Sequence, residues 1–252
     1  MPKLSLCPLN LFSFFNCRLN QDQNQAPETG ANYQTARPGE DLNINSQLIA
    51  INNMVITNLT VKKVLLHLLK DYSNTHTVTS LAKELGISRV GMWKMLKRLG
   101  KNKYLLLTAV GTGKTSAAVI TLNWEHPLLE KTLSFYLTEE ALKQRRWQVN
   151  FIGLEQLNLF VIMYGSILNH PQQANDIDIL GVANKNNFVK VQKVIDQVQK
   201  IQSKKIHSIN FTVNELKLEL KKSNLAIRGA IRTGVVLFGQ ENFIKFMKEM
   251  AT

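Results

Sequence analysis

The chain has 252 residues, 44% hydrophobic and 19% charged, with a formal net charge of +13 and only two cysteines. That length and apolar share suit a globular protein with room for two modest domains, and the charge points to an anionic partner. Cys7 and Cys17 offer neither a disulfide framework nor a zinc-ligand spacing, which fits a reducing, cytoplasmic setting, and no apolar run is long enough to span a membrane.

The first residues, MPKLSLCPLNLFSFFNC, contain an apolar stretch broken by Pro8, Asn10 and Asn16, and no small-residue cleavage pattern follows. An export signal is therefore not expected. Residues Gln21 to Gln47 are rich in Gln, Asn, Pro and Gly and poor in large apolar side chains. Residues 1–53 are expected to be a disordered tail that the folded protein does not need. The charge is unevenly spread. Residues 1–53 carry three basic and four acidic side chains, residues 54–150 fifteen and six, and residues 151–252 thirteen and eight.

Val61 to Tyr72 has apolar residues at helical spacing, with Leu65, Leu68 and Leu69 on one face. A short helix capped by Thr77 or Thr79 follows and runs to about Leu85. Gly86 permits a sharp turn, and Ser88 caps a second helix that reaches Leu99 and stops at Gly100. Val90, Trp93, Leu96 and Met92 are expected to form its inner stripe, leaving Arg89, Lys94, Lys97 and Arg98 outward. The stretch GTGKTS, residues 111–116, invites comparison with a phosphate-binding loop. The first glycine of that motif is missing, because Thr108 stands in its place, and a β-branched run rather than a helix follows. Strands flank the glycines on both sides, so the stretch reads as a hairpin tip bearing Lys114.

Three helices and a hairpin, with eight basic residues and one acid between Lys83 and Lys114, resemble the winged helix-turn-helix domains that bind DNA. The resemblance implies that residues 54–124 form such a domain. Arg89, Lys94, Lys97 and Arg98 would face the DNA, and Lys114 would touch a phosphate from the wing. The same motif also serves in protein docking. Residues 125–150 read as a helical connector that packs against both domains and ends in a basic, aromatic patch at Arg145, Arg146 and Trp147, which would otherwise extend the basic surface.

The last third carries the chemistry. Leu159 to Tyr164 reads as an apolar strand ending at Gly165-Ser166, and a polar loop leads to a second strand that starts Asp176-Ile177-Asp178-Ile179. Strand alternation sends Asp176 and Asp178 to one face and Ile177 and Ile179 to the core. Two carboxylates about 7 Å apart by Cα repel unless a cation sits between them, and their oxygens suit magnesium. Gly165 lets backbone approach a phosphate, and Ser166 offers a hydroxyl to it. His170 and His207 are lone histidines in polar surroundings, expected at the surface rather than in acid–base roles.

The GS turn, the nine-residue spacer and the DxD strand resemble the nucleotidyltransferase superfamily related to DNA polymerase β, in particular its minimal members. The match covers residues 151–252, and the whole chain then reads as an α+β protein with a small mixed sheet. The resemblance implies Asp176 and Asp178 as catalytic metal ligands, Gly165 and Ser166 as nucleotide-binding residues, Mg2+ as cofactor and a nucleoside triphosphate, ATP foremost, as substrate. The acceptor would be a hydroxyl on a protein, a nucleic acid or a small molecule; in the minimal members it can be a partner toxin modified with AMP. Two departures are visible. Ile167, Leu168 and Asn169 replace the small and basic residues that often follow GS. The strand that often carries a third carboxylate reads His207-Ser208-Ile209-Asn210-Phe211-Thr212, with Asn210 the nearest candidate ligand. The rival reading is a DNA-binding regulator whose second domain senses nucleotide or is inert.

Overall fold

A computed structural model describes residues 58–111, 117–222 and 224–251. The expected tail, residues 1–53, and Lys114 at the hairpin tip lie outside them. Helix α1 (Leu59–Lys70) begins where the Asn58 side chain accepts hydrogen bonds from the Thr60 and Val61 N–H groups, satisfying two donors that a first helical turn leaves unpaired. Strand β1 (His76–Thr77) leads into α2 (Val78–Glu84), which Thr77 and Ser80 cap reciprocally. Ser88 caps α3 (Arg89–Lys101) by accepting from the Gly91 N–H. The antiparallel hairpin of β2 (Leu105–Val110) and β3 (Ala117–Leu122) follows, and β1 pairs with β3 to give a three-stranded sheet of order β1-β3-β2.

Two expectations for α3 are corrected. Gly100 does not stop the helix but lies inside it. A Cβ there would collide with Leu107 of β2, so the missing side chain is what lets the hairpin close onto the helix. The buried stripe is Met92, Leu96 and Leu99, all fully buried, whereas Val90 is 65% and Trp93 38% exposed. The two stripes share Met92 and Leu96; contact with β2 near Gly100 selects the one that includes Leu99 in place of Val90 and Trp93.

Residues 125–150 pack against both neighbouring parts of the chain, as expected of the connector. In α4 (Leu129–Leu142), Leu129, Leu133, Tyr136 and Leu137 are fully buried and join the apolar cluster that includes Leu65 of α1 and Phe160, Leu180 and Phe243 of the last third. Buried Lys70 donates to Glu140 Oε2 at 2.7 Å and to the Gly234 carbonyl at 2.9 Å, tying α1 to α4 and to the later chain. The expected basic, aromatic patch keeps its exposed arginines, with the Arg146 guanidinium 5.3 Å from the Trp147 ring, but its aromatic part is turned inward. Trp147 of α5 (Arg145–Asn150) is only 6% exposed and stacks on Phe151.

The four-stranded sheet has the order β6-β5-β4-β7. Its strands are β4 (Phe160–Tyr164), β5 (Asp176–Val182), β6 (Lys205–Phe211) and β7 (Val235–Phe238). Helix α6 (Phe188–Ile201) joins β5 to its parallel neighbour β6, while β4 runs antiparallel to β5 and β7. One face, with Val161, Met163, Ile177, Ile179 and Ile206, packs on Val191, Ile195 and Val198 of α6. The other face, with Phe160, Ile162, Leu180 and Val182, shares the cluster containing α1 and α4. Helices α7 (Val213–Lys221), α8 (Leu225–Thr233) and α9 (Gln240–Ala251) complete the described chain. The architecture is mixed α+β with open sheets. Among the described residues no helix is long and apolar enough to cross a membrane.

Strand β6 begins at Lys205, and the next helix is capped by Thr212. Thr212 and Glu215 form a reciprocal capping box, in which Glu215 Oε2 accepts from the Thr212 N–H at 2.8 Å.

Candidate functional site

Asp176 and Asp178 open β5, and alternation directs both to the same face of the sheet. Pairing with β4 sets Asp178 opposite Tyr164, so the turn that follows Tyr164 lies beside the carboxylate. Gly165, at φ +83° and ψ −168°, occupies backbone space essentially reserved for glycine. A Cβ on it would also collide with Asp178 Oδ2. The turn therefore needs glycine for its conformation and for its contact with Asp178. Ser166 follows, exposed, and its carbonyl accepts from the Asn169 and His170 N–H groups at 3.1 and 2.8 Å. Across the loop, Lys204 donates to the carbonyls of Ala174 and Gln172, which holds the chain just before β5.

Sequence reasoning missed the third member of the cluster. Parallel pairing sets His207 of β6 beside Asp178. Its Nδ1 lies 3.3 Å from Asp176 Oδ2 and 3.6 Å from Asp178 Oδ1. The three residues offer ligand atoms that all fall within 4.8 Å of one another. Their side chains remain 35%, 23% and 45% exposed for Asp176, Asp178 and His207, so the cluster is open to a ligand. His207 is at the surface as expected, but it is not isolated. His170 is exposed in the loop and outside the cluster.

Asn210 does not join them. It pairs with Gly181, whose position places it on the opposite face from Asp178. There Asn210 Nδ2 donates to Ser208 Oγ at 3.3 Å, and its Oδ1 lies against Gly181. The position beside His207 on the carboxylate face belongs to Ile209, which is 41% exposed. Asn210 was expected as the nearest candidate ligand on this strand; the register that pairs Asp178 with His207 settles which side chains face the aspartates.

Burial, and then the charge of Asp176, push the Asp178 pKa above the ordinary carboxylate value, while His207 pulls it the other way. The Tyr164 phenol is raised as well, by burial first and then by Asp178 and Asp176. Burial is the larger cause of both shifts, and the aspartate charges that add to it are ones a bound cation would offset. The concavity of about 410 Å³ walled by Arg145, Gln148, Val149 and Leu237 flanks β7, the opposite edge of the sheet, and includes none of these residues.

The second candidate surface is α3. Arg89, Lys94 and Lys97 are exposed, Arg98 is half-buried, and the ammonium of Lys97 lies 4.9 Å from the centre of the Trp93 ring. Val90 and Trp93 wall a groove of about 710 Å³ shared with Thr79 and with Ala109, Ala117 and Ala118 of the hairpin. A tryptophan on the surface, its face covered by a lysine, is a stable arrangement and not a packing defect.

Comparison of the chain with protein families, with curated proteins and with solved structures gave no match in any of the three.

Proposed function

We propose that the chain transfers a nucleoside monophosphate from a magnesium-bound nucleoside triphosphate, ATP foremost, to a hydroxyl acceptor, and that its basic helix and hairpin bind DNA. The observation that carries the transfer reading is the seating of Asp178 against the side-chain-free turn at Gly165, with Asp176 and His207 beside it. These residues suit magnesium. Two carboxylates supply hard oxygen ligands, and they stand close enough for the charge of Asp176 to oppose ionisation of Asp178. A magnesium ion held there would offset charge on the triphosphate oxygens. Asp176 and Asp178 are its holders. Gly165 leaves backbone open to a phosphate, and the exposed Ser166 hydroxyl can donate to one. His207 supplies an imidazole able to accept the proton that the acceptor hydroxyl gives up. In the transfer, the acceptor oxygen bonds to the α-phosphorus, the bond from that phosphorus to its bridging oxygen breaks, and pyrophosphate leaves.

The order of α1, α2, α3 and the hairpin supports a winged helix-turn-helix reading, with Arg89, Lys94 and Lys97 presented on α3. The acceptor class remains protein, nucleic acid or small molecule, a partner toxin being one form of the first. The transfer reading is tested with ATP labelled at the α-phosphate in a lysate. Label should pass to an acceptor with the native chain and not with Asp176→Asn/Asp178→Asn; label on no acceptor with either protein would contradict it.

One observation favours a second reading. Among the described residues the carboxylate face carries Ile209 where a third carboxylate would complete a two-metal site. The chain would then be a DNA-binding regulator that binds nucleotide without transferring it. Binding of Mg-ATP with no labelled acceptor is the outcome that separates the two.

A further inference from the structure

A second cluster lies far from the aspartate pair in sequence, at the base of the helix–hairpin segment. His67 sits in the last turn of α1, Asp71 is that helix's C-cap, His76 begins β1 and Glu84 ends α2. These four side chains offer ligand atoms that all lie within 4.8 Å of one another. The individual separations are 2.7 Å from His67 Nε2 to Glu84 Oε2 and 3.9 Å from His67 Nε2 to Asp71 Oδ2. From His76 they are 3.7 Å, Nε2 to Asp71 Oδ2, and 3.9 Å, Nδ1 to Glu84 Oε2. Four ligands about 2.0–2.1 Å from a tetrahedral zinc ion stand roughly 3.3 Å apart. The spacings from His67 Nε2, 2.7 and 3.9 Å, and from His76 Nδ1, 3.9 Å, bracket that value.

An independent observation comes from His76. Its side chain is 4% exposed, and its Nε2 lies 3.0 Å from the Asp71 carbonyl oxygen. A carbonyl can only accept, so Nε2 carries the proton and Nδ1 of the neutral ring is a bare lone pair. That Nδ1 is buried and makes no hydrogen bond, yet it points to Glu84. A buried acceptor left without a donor is costly, and a metal ion satisfies it. The arrangement of a ring with one nitrogen on a carbonyl and the other free toward a ligand set is the one that orients metal-binding histidines. Asp71 is held in the same way, with Asn74 Nδ2 donating to both of its carboxylate oxygens at 2.9 Å. Asp71 is also 7% exposed and stands at the negative end of α1, a place that disfavours an anion and favours a cation.

We propose that His67, Asp71, His76 and Glu84 form a binding site for a divalent transition-metal ion of the zinc class. Two imidazoles and two carboxylates suit such an ion, and the two negative charges neutralise it; magnesium prefers all-oxygen sites. The ion would clamp the end of α2 to the end of α1. Since α3 packs on α2, the site fixes the platform on which the basic helix stands. This proposal does not depend on the transfer reading.

The test uses the full chain without a histidine tag, carrying Asp176→Asn/Asp178→Asn so that the other cluster does not contribute. Co2+ alone is titrated and followed by visible absorption; Zn2+ and Mg2+ are compared by thermal unfolding. The proposal expects the intense visible bands of a tetrahedral site, saturating at one equivalent, a rise in Tm with Zn2+ and none with Mg2+. Glu84→Gln replaces a solvent-facing carboxylate with an isostere and leaves the core intact; it should weaken Co2+ binding more than about tenfold, as should His67→Gln. Absence of tetrahedral absorption, or bands of unchanged affinity in both variants, would overturn the proposal.

Discussion

His207 Nδ1 lies 3.3 Å from Asp176 Oδ2, although the two residues sit on different strands and far apart in the sequence. The contact exists because β6 runs parallel to β5 in the register that pairs Asp178 with His207. An imidazole so placed either ligates the ion held by the aspartates or orients them around it. His207→Ala should therefore lower Mg-ATP affinity by about 10–100-fold, measured by isothermal titration. Because the ring is nearly half exposed, folding stability should change by no more than about 0.5 kcal/mol. Unchanged nucleotide affinity together with unchanged transfer of label would make His207 a bystander.

Asp178 gives a pH prediction with a definite sign. Its folded-state pKa lies above the ordinary value through burial and the charge of Asp176. The folded chain thus holds this proton more tightly than the unfolded chain. The favourable contribution is complete below the ordinary carboxylate pKa and is lost as pH rises through the raised folded value. At neutral pH the ionised side chain is a burden on the metal-free fold. Asp178→Asn should raise Tm at pH 7 without magnesium, and the gap should close below about pH 4. Saturating magnesium and ATP should reverse the order, since only the native carboxylate gains from the ion. Thermal melts across pH, with and without ligand, check all three statements.

Gly165→Ala places a Cβ where Asp178 Oδ2 already stands, on backbone that an L-residue rarely adopts. The cost should be about 1–3 kcal/mol in urea unfolding. The variant should also lose the thermal shift given by Mg-ATP, because relief of the clash moves Asp178. A folded variant that keeps the full shift would separate the turn from the nucleotide.

For α3, Lys94→Ala and Lys97→Ala should each weaken binding to DNA of any sequence and reduce the slope of log affinity against log salt by about 0.9. Fluorescence anisotropy at several salt concentrations measures this. A salt-independent affinity, or none, would leave α3 as a docking helix. Trp93→Ala should weaken the complex further, since it removes an exposed aromatic surface together with the support of Lys97.

How far the sequence could be read depended on whether a feature was local. The proximity of Asp176, Asp178 and Gly165 was legible, because it needs only the period of a strand and a reversal between neighbours. His207 was not. Its place is set by a parallel pairing after a long crossover, and no local pattern reports that register. Asn210 was brought forward as the oxygen-bearing side chain nearest the position of a third carboxylate; the parallel register turns it to the other face and leaves Ile209 there. The inner face of α3 was misread because two stripes fit the same helix and tertiary contact chose between them. The packing of residues 125–150 against both parts of the chain was legible from the leucines of α4, which the structure buries between α1 and the second sheet. The histidine and carboxylate cluster around His76 was invisible for the same reason as His207: it draws on two helix ends, a turn and a strand.

The most direct measurement is a crystal structure of the full chain grown with magnesium and a non-hydrolysable ATP analogue. The account predicts a magnesium ion about 2.1 Å from oxygens of both Asp176 and Asp178, with the triphosphate lying along Gly165 and Ser166. A nucleotide bound elsewhere, or no nucleotide and the aspartates still facing His207 alone, would contradict it.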